Sequence, residues 1–159
     1  MTIRKRIAQA SYLKVTEGFE LLGTGFTALD EKPSAKTSSK RYINSVSATQ
    51  SVTGYEWSTD FETDEIVSDK AIEYITDIGR MLRVGADAET EYVIVDLDKT
   101  DGGAGKYKAR KINVAIAVSD FKDNDGELGC SGSFVGQGDM VEGTFDTKAK
   151  TFTPKQAME

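Results

Sequence analysis

Ser47 to Thr63 reads SATQSVTGYEWSTDFET, without proline and rich in Thr, Val, Tyr, Trp and Phe, the residues that favour extended chain. It is about three times the ~5 to 6 residues of an ordinary strand. Alternation puts Ser47, Thr49, Ser51, Thr53, Tyr55, Trp57, Thr59 and Phe61 on one side. Ala48, Gln50, Val52, Gly54, Glu56, Ser58, Asp60 and Glu62 fall on the other. The first face is hydroxyl-rich and then aromatic, and the second becomes acidic. A strand that closes a small private core should carry one clean apolar face, and this one does not. Two arrangements account for it: a half-exposed hairpin arm on an ordinary sandwich, or a strand whose sheet is completed from outside the chain. Gly54 is a place where a bulge would split the stretch into two shorter strands.

Working outward, the 159 residues fit one domain over 1–159, with 38% hydrophobic and 29% charged residues and 15 Gly against 2 Pro. That balance predicts a turn-rich, mainly β chain. No apolar run approaches the ~20 residues of a membrane helix, and MTIRKRIAQ lacks the apolar core of a signal peptide, so a cytosolic protein is expected. A single cysteine, Cys130, excludes an internal disulfide and a cysteine-type structural metal site. The absence of histidine removes the commonest general base and metal ligand. A net charge of −6 argues against wrapping nucleic acid.

Before the central stretch, Tyr12 to Leu22 predicts a strand, a turn and a strand. Lys32 to Asn44, KPSAKTSSKRYIN, predicts a long exposed loop. After it, Ala71, Ile72, Ile75, Ile78 and Leu82 recur at steps of three and four and predict a helix over 69–82 with Ser68 as N-cap. Glu91 to Leu97 and Tyr107 to Phe121 predict strands. The second sets Ile112, Val114, Ile116 and Val118 on one face, against the helix residues Ile72, Ile75, Ile78 and Leu82. Asp123 to Gly126 predicts a tight hairpin into Leu128 to Val135, followed by a turn at Gly136 to Asp139, a strand from Met140 to Phe145, a turn and a last strand Thr151 to Thr153. The tail PKQAME is expected to be loose.

Motifs that spell chemistry fail on their context. Gly23, Gly25 and Ala28 imitate a dinucleotide loop, but Pro33 interrupts the helix it needs. Gly105-Lys106 lacks the first glycine and the hydroxyl of a phosphate loop. Asp123, Asp125 and Gly126 lack the first and last ligands of a calcium loop. Cys130 has no histidine to activate it and reads as a packing residue. Tyr55 and Trp57 read as packing anchors or as a ligand platform. No enzyme, cofactor or metal site is expected.

The order of elements, with the motifs Gly23-x-Gly25-Phe26-Thr27, Lys40-Arg41-Tyr42-Ile43-Asn44, Ser51-x-Thr53-Gly54-Tyr55-Glu56 and Ala71-Ile72-Glu73-Tyr74-Ile75, resembles the major tail tube proteins of long-tailed bacteriophages. Gly85 to Thr90, Val118 to Phe121, Val141 to Asp146 and Thr151 to Pro154 extend the resemblance from about Tyr12 to Pro154. It implies an antiparallel β-sandwich or barrel-like subunit with a flanking helix. Six such subunits would form a ring, stacked rings a tube, and strands of all subunits one continuous β-barrel through which the genome passes. The implied partners are further copies, then the tape measure, tail terminator and baseplate proteins. The implied location is the virion tail, assembled in the host cytoplasm.

On that resemblance the second face of the central stretch acquires a use, because passing DNA must not adhere to cations. Gln50, Glu56, Asp60 and Glu62 are expected to line the lumen, with Tyr55, Trp57 and Phe61 packed toward the helix. Inter-ring contact is expected from the N-terminal arm 1–11 through Arg4, Lys5 and Arg6, from the loop 32–44 through Lys36, Lys40 and Arg41, and from the C-terminal segment 147–159. The alternative, of a different class, is a monomeric β-sandwich that binds a small ligand or glycan through Tyr55 and Trp57.

Overall fold

The computed structural model describes residues 1–16 and 18–155. In it the central stretch is two strands in two different sheets. β5 (Thr49–Tyr55) ends one residue past Gly54, Glu56 and Trp57 break the chain, and β6 (Ser58–Asp64) follows. Among the described residues β5 pairs only with β4 (Ala35–Lys40), as a two-stranded ribbon. β6 lies between β3 (Phe26–Lys32) and β9 (Glu127–Asp146). The expected loop over 32–44 is therefore the end of β3, a turn at Pro33-Ser34, and β4, with only 41–44 left as loop at the ribbon tip. Its composition hid the strand because every residue of β4 is exposed, so no buried alternation was imposed on the sequence.

The larger sheet runs β2 (Gly18–Leu21), β1 (Gln9–Val15), β7 (Glu89–Thr100), β8 (Lys106–Asn124), β9, β6, β3, all antiparallel, with β10 (Thr151–Pro154) on the second half of β9. Its terminal strands β2 and β3 are joined by residues 22–25 alone, so the sheet must coil until its ends approach. Among the described residues no ladder joins them and no barrel closes; the arrangement is sandwich-like. β7 is covered on both sides. Tyr92 and Ile94 face the main core with Leu13, Phe61, Phe134 and the helix, while Val93 and Val95 face a smaller one with Tyr12, Ala109 and Phe145. That double burial is why β7 reads as a continuous apolar run rather than an alternation.

α1 (Lys70–Arg80) starts at Asp69, whose Oδ1 accepts from Ala71 N and Ile72 N, both at 3.1 Å. Ser68 is not the cap; it precedes it with φ 75°. Ile72, Ile75 and Ile78 are buried as the periodicity predicts, and so are Ile112, Val114 and Ile116, with Val118 packed at their edge. Leu82 is not in this core. The helix has ended at Arg80, Leu82 stands at φ 53°, and its side chain is 82% exposed. Arg83 N donates to Ile78 O at 3.0 Å, closing the helix end in the left-handed manner that turns Leu82 outward. Gly79 lets the helix lie close, since a Cβ there would stand 2.7 Å from Val118 Cγ1.

β8 and β9 form one long hairpin. Its two-residue turn is Asp125-Gly126 at φ 53° and 91°, the primed geometry that matches strand twist. The expected turn at Gly136 to Asp139 is instead an irregularity inside β9. Gln137 pairs with Asn113 and Val141 with Lys111, so three residues oppose Ile112, and Gly138 takes φ 90°. Of the expected loose tail, Pro154 ends β10 and Lys155 N donates to Glu142 O at 2.9 Å; residues 156–159 lie outside the described residues.

Candidate assembly surfaces

β3, β6, β9 and the far half of β8 make a four-stranded sheet with two different faces. Inward, Leu29 pairs across from Phe61, and Thr59, Phe61 and Thr63 stand opposite Phe134, Gly132 and Cys130. Phe61 stacks on Phe134 with ring centroids 4.7 Å apart. Outward, the same registers set Asp30 beside Asp60 beside Ser133 beside Ala117, and Glu62 beside Ser131 beside Asp120. The Ser131 hydroxyl donates to Asp120, which places both on this face. Lys32 pairs with Asp60 at 2.5 Å, and that carboxylate raises its pKa. No other element covers this outward face among the described residues. It is a surface of carboxylates, hydroxyls and small side chains, with Val135 among them and its cations Lys32 and Lys122 paired to Asp60 and Asp120.

The expected lumen residues separate on it. Asp60 and Glu62 share the open face with Asp30, Ser131, Ser133 and Asp120, which the sequence reading left out. Asp30 was legible in principle, since Leu29, Asp30, Glu31 and Lys32 alternate once the strand is recognised. Gln50 is on the ribbon and Glu56 at its base, where it pairs with Lys36 at 3.2 Å, so neither belongs to that face. Of the aromatics expected to pack inward, Phe61 is buried and Trp57 is half-buried against Tyr92 at 5.7 Å, but Tyr55 is 65% exposed on the ribbon. The break at Glu56-Trp57 is the reason, because alternation cannot be carried through it.

This sheet has two unpaired edges among the described residues. β3 is its last strand, and β8 beyond Ala115 has lost β7, which pairs only as far as that residue. The backbone groups on those edges are templates for further strands.

The ribbon is fixed at its base and unsupported beyond it. Trp57 Nε1–H donates to Glu31 Oε2 at 2.8 Å, Arg110 reaches the same carboxylate at 3.3 and 3.4 Å, and Gly136 N donates to Trp57 O at 2.9 Å. Glu56 N donates to Ser34 O at 3.1 Å. Outward from there every ribbon strand residue except Gly54 is exposed, and the tip carries exposed Tyr42, Ile43 and Val46. Of the expected contact cations, Lys40 lies over the Tyr42 ring and Arg41 Nε donates to Ser45 O at 3.4 Å, both within the tip. Those at the N-terminus are partly engaged in their own chain. Arg4 binds Asp96 at 2.7 Å and Asp98 at 2.8 Å, holding Asp98 below the usual carboxylate range. Arg6 donates to Gln9 O at 2.6 Å, and Lys5 is exposed.

Burial pushes the Cys130 thiol up to about 11 and the Tyr92 phenol up to about 12. Among the described residues no group of three or more His, Cys, Asp or Glu is placed to hold a metal ion. No protein-family model matches the sequence, and no curated protein matches it.

Proposed function

We propose that the chain is a structural subunit that assembles through its own sheet edges, the tail tube subunit of a long-tailed bacteriophage. The observation that carries this is the four-stranded sheet with an uncovered, acidic face and an unpaired edge on either side. Pairing β3 of one copy with the far half of β8 on the next is a head-to-tail contact, which closes into a ring if the rotation permits. Ring closure removes these two edges and turns the face bearing Asp30, Asp60, Glu62 and Asp120 into the wall of a channel. Carboxylates there repel a phosphate backbone, so DNA passes without adhering. The six-fold ring, and the tape measure, terminator and baseplate partners, rest on the family resemblance.

Light scattering and negative-stain microscopy of the purified protein over a rising concentration series test this. Rings or tubes are expected, and a monomer at every concentration overturns it. Replacing residues 35–55 by a short glycine linker should leave the body folded with its melting temperature nearly unchanged, and rings that do not stack. Full-length tubes from that variant remove the ribbon from assembly.

A second reading is supported by the cleft of about 670 Å³ at the ribbon base, lined by Tyr55, Trp57, Arg110, Ile112 and Met140. A cleft of that size suits a small ligand or a short glycan. Chemical-shift changes at Trp57 Nε1 in a glycan screen, from a protein that stays monomeric, would favour it over the tube.

A further inference from the structure

The ribbon and the turn after β6 lie at opposite ends of one strand. Ser58 follows the ribbon base directly, and Asp64 leads into residues 65–68, so about 20 Å of extended chain separates the two. At that far end a groove of about 440 Å³ runs between the turn, α1 and the β8–β9 hairpin tip, with Ile66, Val67 and Leu128 in its apolar lining over the buried Ile72. Val67 is 87% and Leu128 56% exposed. Its rim is acidic, from Glu65 and Glu73, with Asp123, Asp125 and Glu127 in and beside the adjoining hairpin turn. The cations of this end are Lys70, Arg80 and Lys122. Arg80 is bonded to Glu65 and lies over the Phe121 ring, and Lys122 pairs with Asp120 at 3.9 Å.

The ribbon tip has the complementary chemistry. Residues 35–55 contain no carboxylate and carry Lys36, Lys40 and Arg41, and the tip exposes Tyr42, Ile43 and Val46. We propose that the tip of the ribbon on one copy seats in this groove on a second copy, apolar side chains against Ile66, Val67 and Leu128, with Lys40 and Arg41 on the acidic rim. Plug and socket at opposite ends of β6 make the contact head-to-tail, and repetition along that axis gives a stack. An apolar centre with a charged rim supplies attraction and register together. The inference rests on the self-assembly reading and names the surface that receives the ribbon.

The test is to mix two single variants, Ile43→Cys and Val67→Cys, under mild oxidation, the natural Cys130 being buried. Disulfide-linked dimers are expected in the mixture and not in either variant alone. Tubes without mixed disulfides overturn this docking and leave the tube reading standing. No assembly by the unaltered protein at any concentration, with no mixed disulfide, overturns both. Independently, Arg41→Glu should raise the concentration needed for stacking about tenfold, and adding Glu73→Lys should recover most of it. Stacking by Arg41→Glu at the unaltered concentration overturns the charged part of the contact.

Discussion

β5 and β6 are seven residues each, neighbours in the chain, and both are built largely of Thr, Ser and aromatics, yet they live differently. TQSVTGY is exposed at every position but Gly54. STDFETD buries Thr59, Phe61 and Thr63 and presents Asp60 and Glu62 outward. Strand-forming residues alone do not separate them. β6 has Phe134, Gly132 and Cys130 across from its alternate positions, whereas β5 has only the Ala, Lys, Thr and Ser of β4 among the described residues. An isolated two-stranded ribbon in water is marginally stable at best, and under the proposed self-assembly β5 is the strand that gains a surface from a second copy. β6 already has one, on one face only.

The comparison breaks first at the core that supports β6. Ile75→Asp places an unpaired charge where the side chain is 0% exposed, which costs about 4 kcal/mol or more and should abolish the cooperative melt. A circular-dichroism melt like that of the unaltered protein would detach the helix from the body. Next, Phe61→Ala should cost about 3 to 5 kcal/mol in denaturant unfolding, while Tyr55→Ala on the ribbon should stay within about 0.5 kcal/mol. Equal losses would mean that the ribbon packs on its own body.

A smaller effect is expected at the helix start. Asp69→Ala removes the oxygen that accepts from Ala71 N and Ile72 N, and should cost about 1 kcal/mol, whereas Ser68→Ala should cost nearly nothing. The smallest effect concerns the N-terminal clamp. Asp98 is held below its ordinary value by Arg4, so it binds protons less readily folded than unfolded. Its contribution is present above the unfolded value and is lost as pH falls through the folded one. Melting temperature against pH should therefore drop slightly less on the acid side in Asp98→Asn, and identical profiles would show that the clamp does not tie the arm down.

Much of this architecture was legible because burial leaves periodicity. Ile72, Ile75 and Ile78 announced the helix, Ile112, Val114 and Ile116 the strand beneath it, and Asp125-Gly126 the hairpin, since each pattern has one physical cause. The failures fall where that cause is missing. β4 buries nothing, so KTSSK carried no strand signal. Leu82 kept the helical spacing, but the left-handed closure after Arg80 ended the helix before the spacing could be used. Gly136 to Asp139 carries turn residues, yet β8 continues alongside and absorbs them as extra residues in a paired strand. On the candidate surface, Asp60 and Glu62 were readable from alternation, but Gln50 and Glu56 were assigned through a break that alternation cannot see.

What residues 47–63 determined by themselves is a local preference: extended chain, with carboxylates at alternate positions after Gly54 and an aromatic at Phe61. They did not determine which sheet each half would join. That was decided by Trp57, drawn to Glu31 and Tyr92 from strands distant in sequence, and by β9, which offers a partner to β6 and none to β5. Extended conformation is a short-range property of side-chain sterics, whereas strand partnership is a long-range choice made by burial. Only the folded chain could therefore divide one strand-like stretch into a wall and an arm.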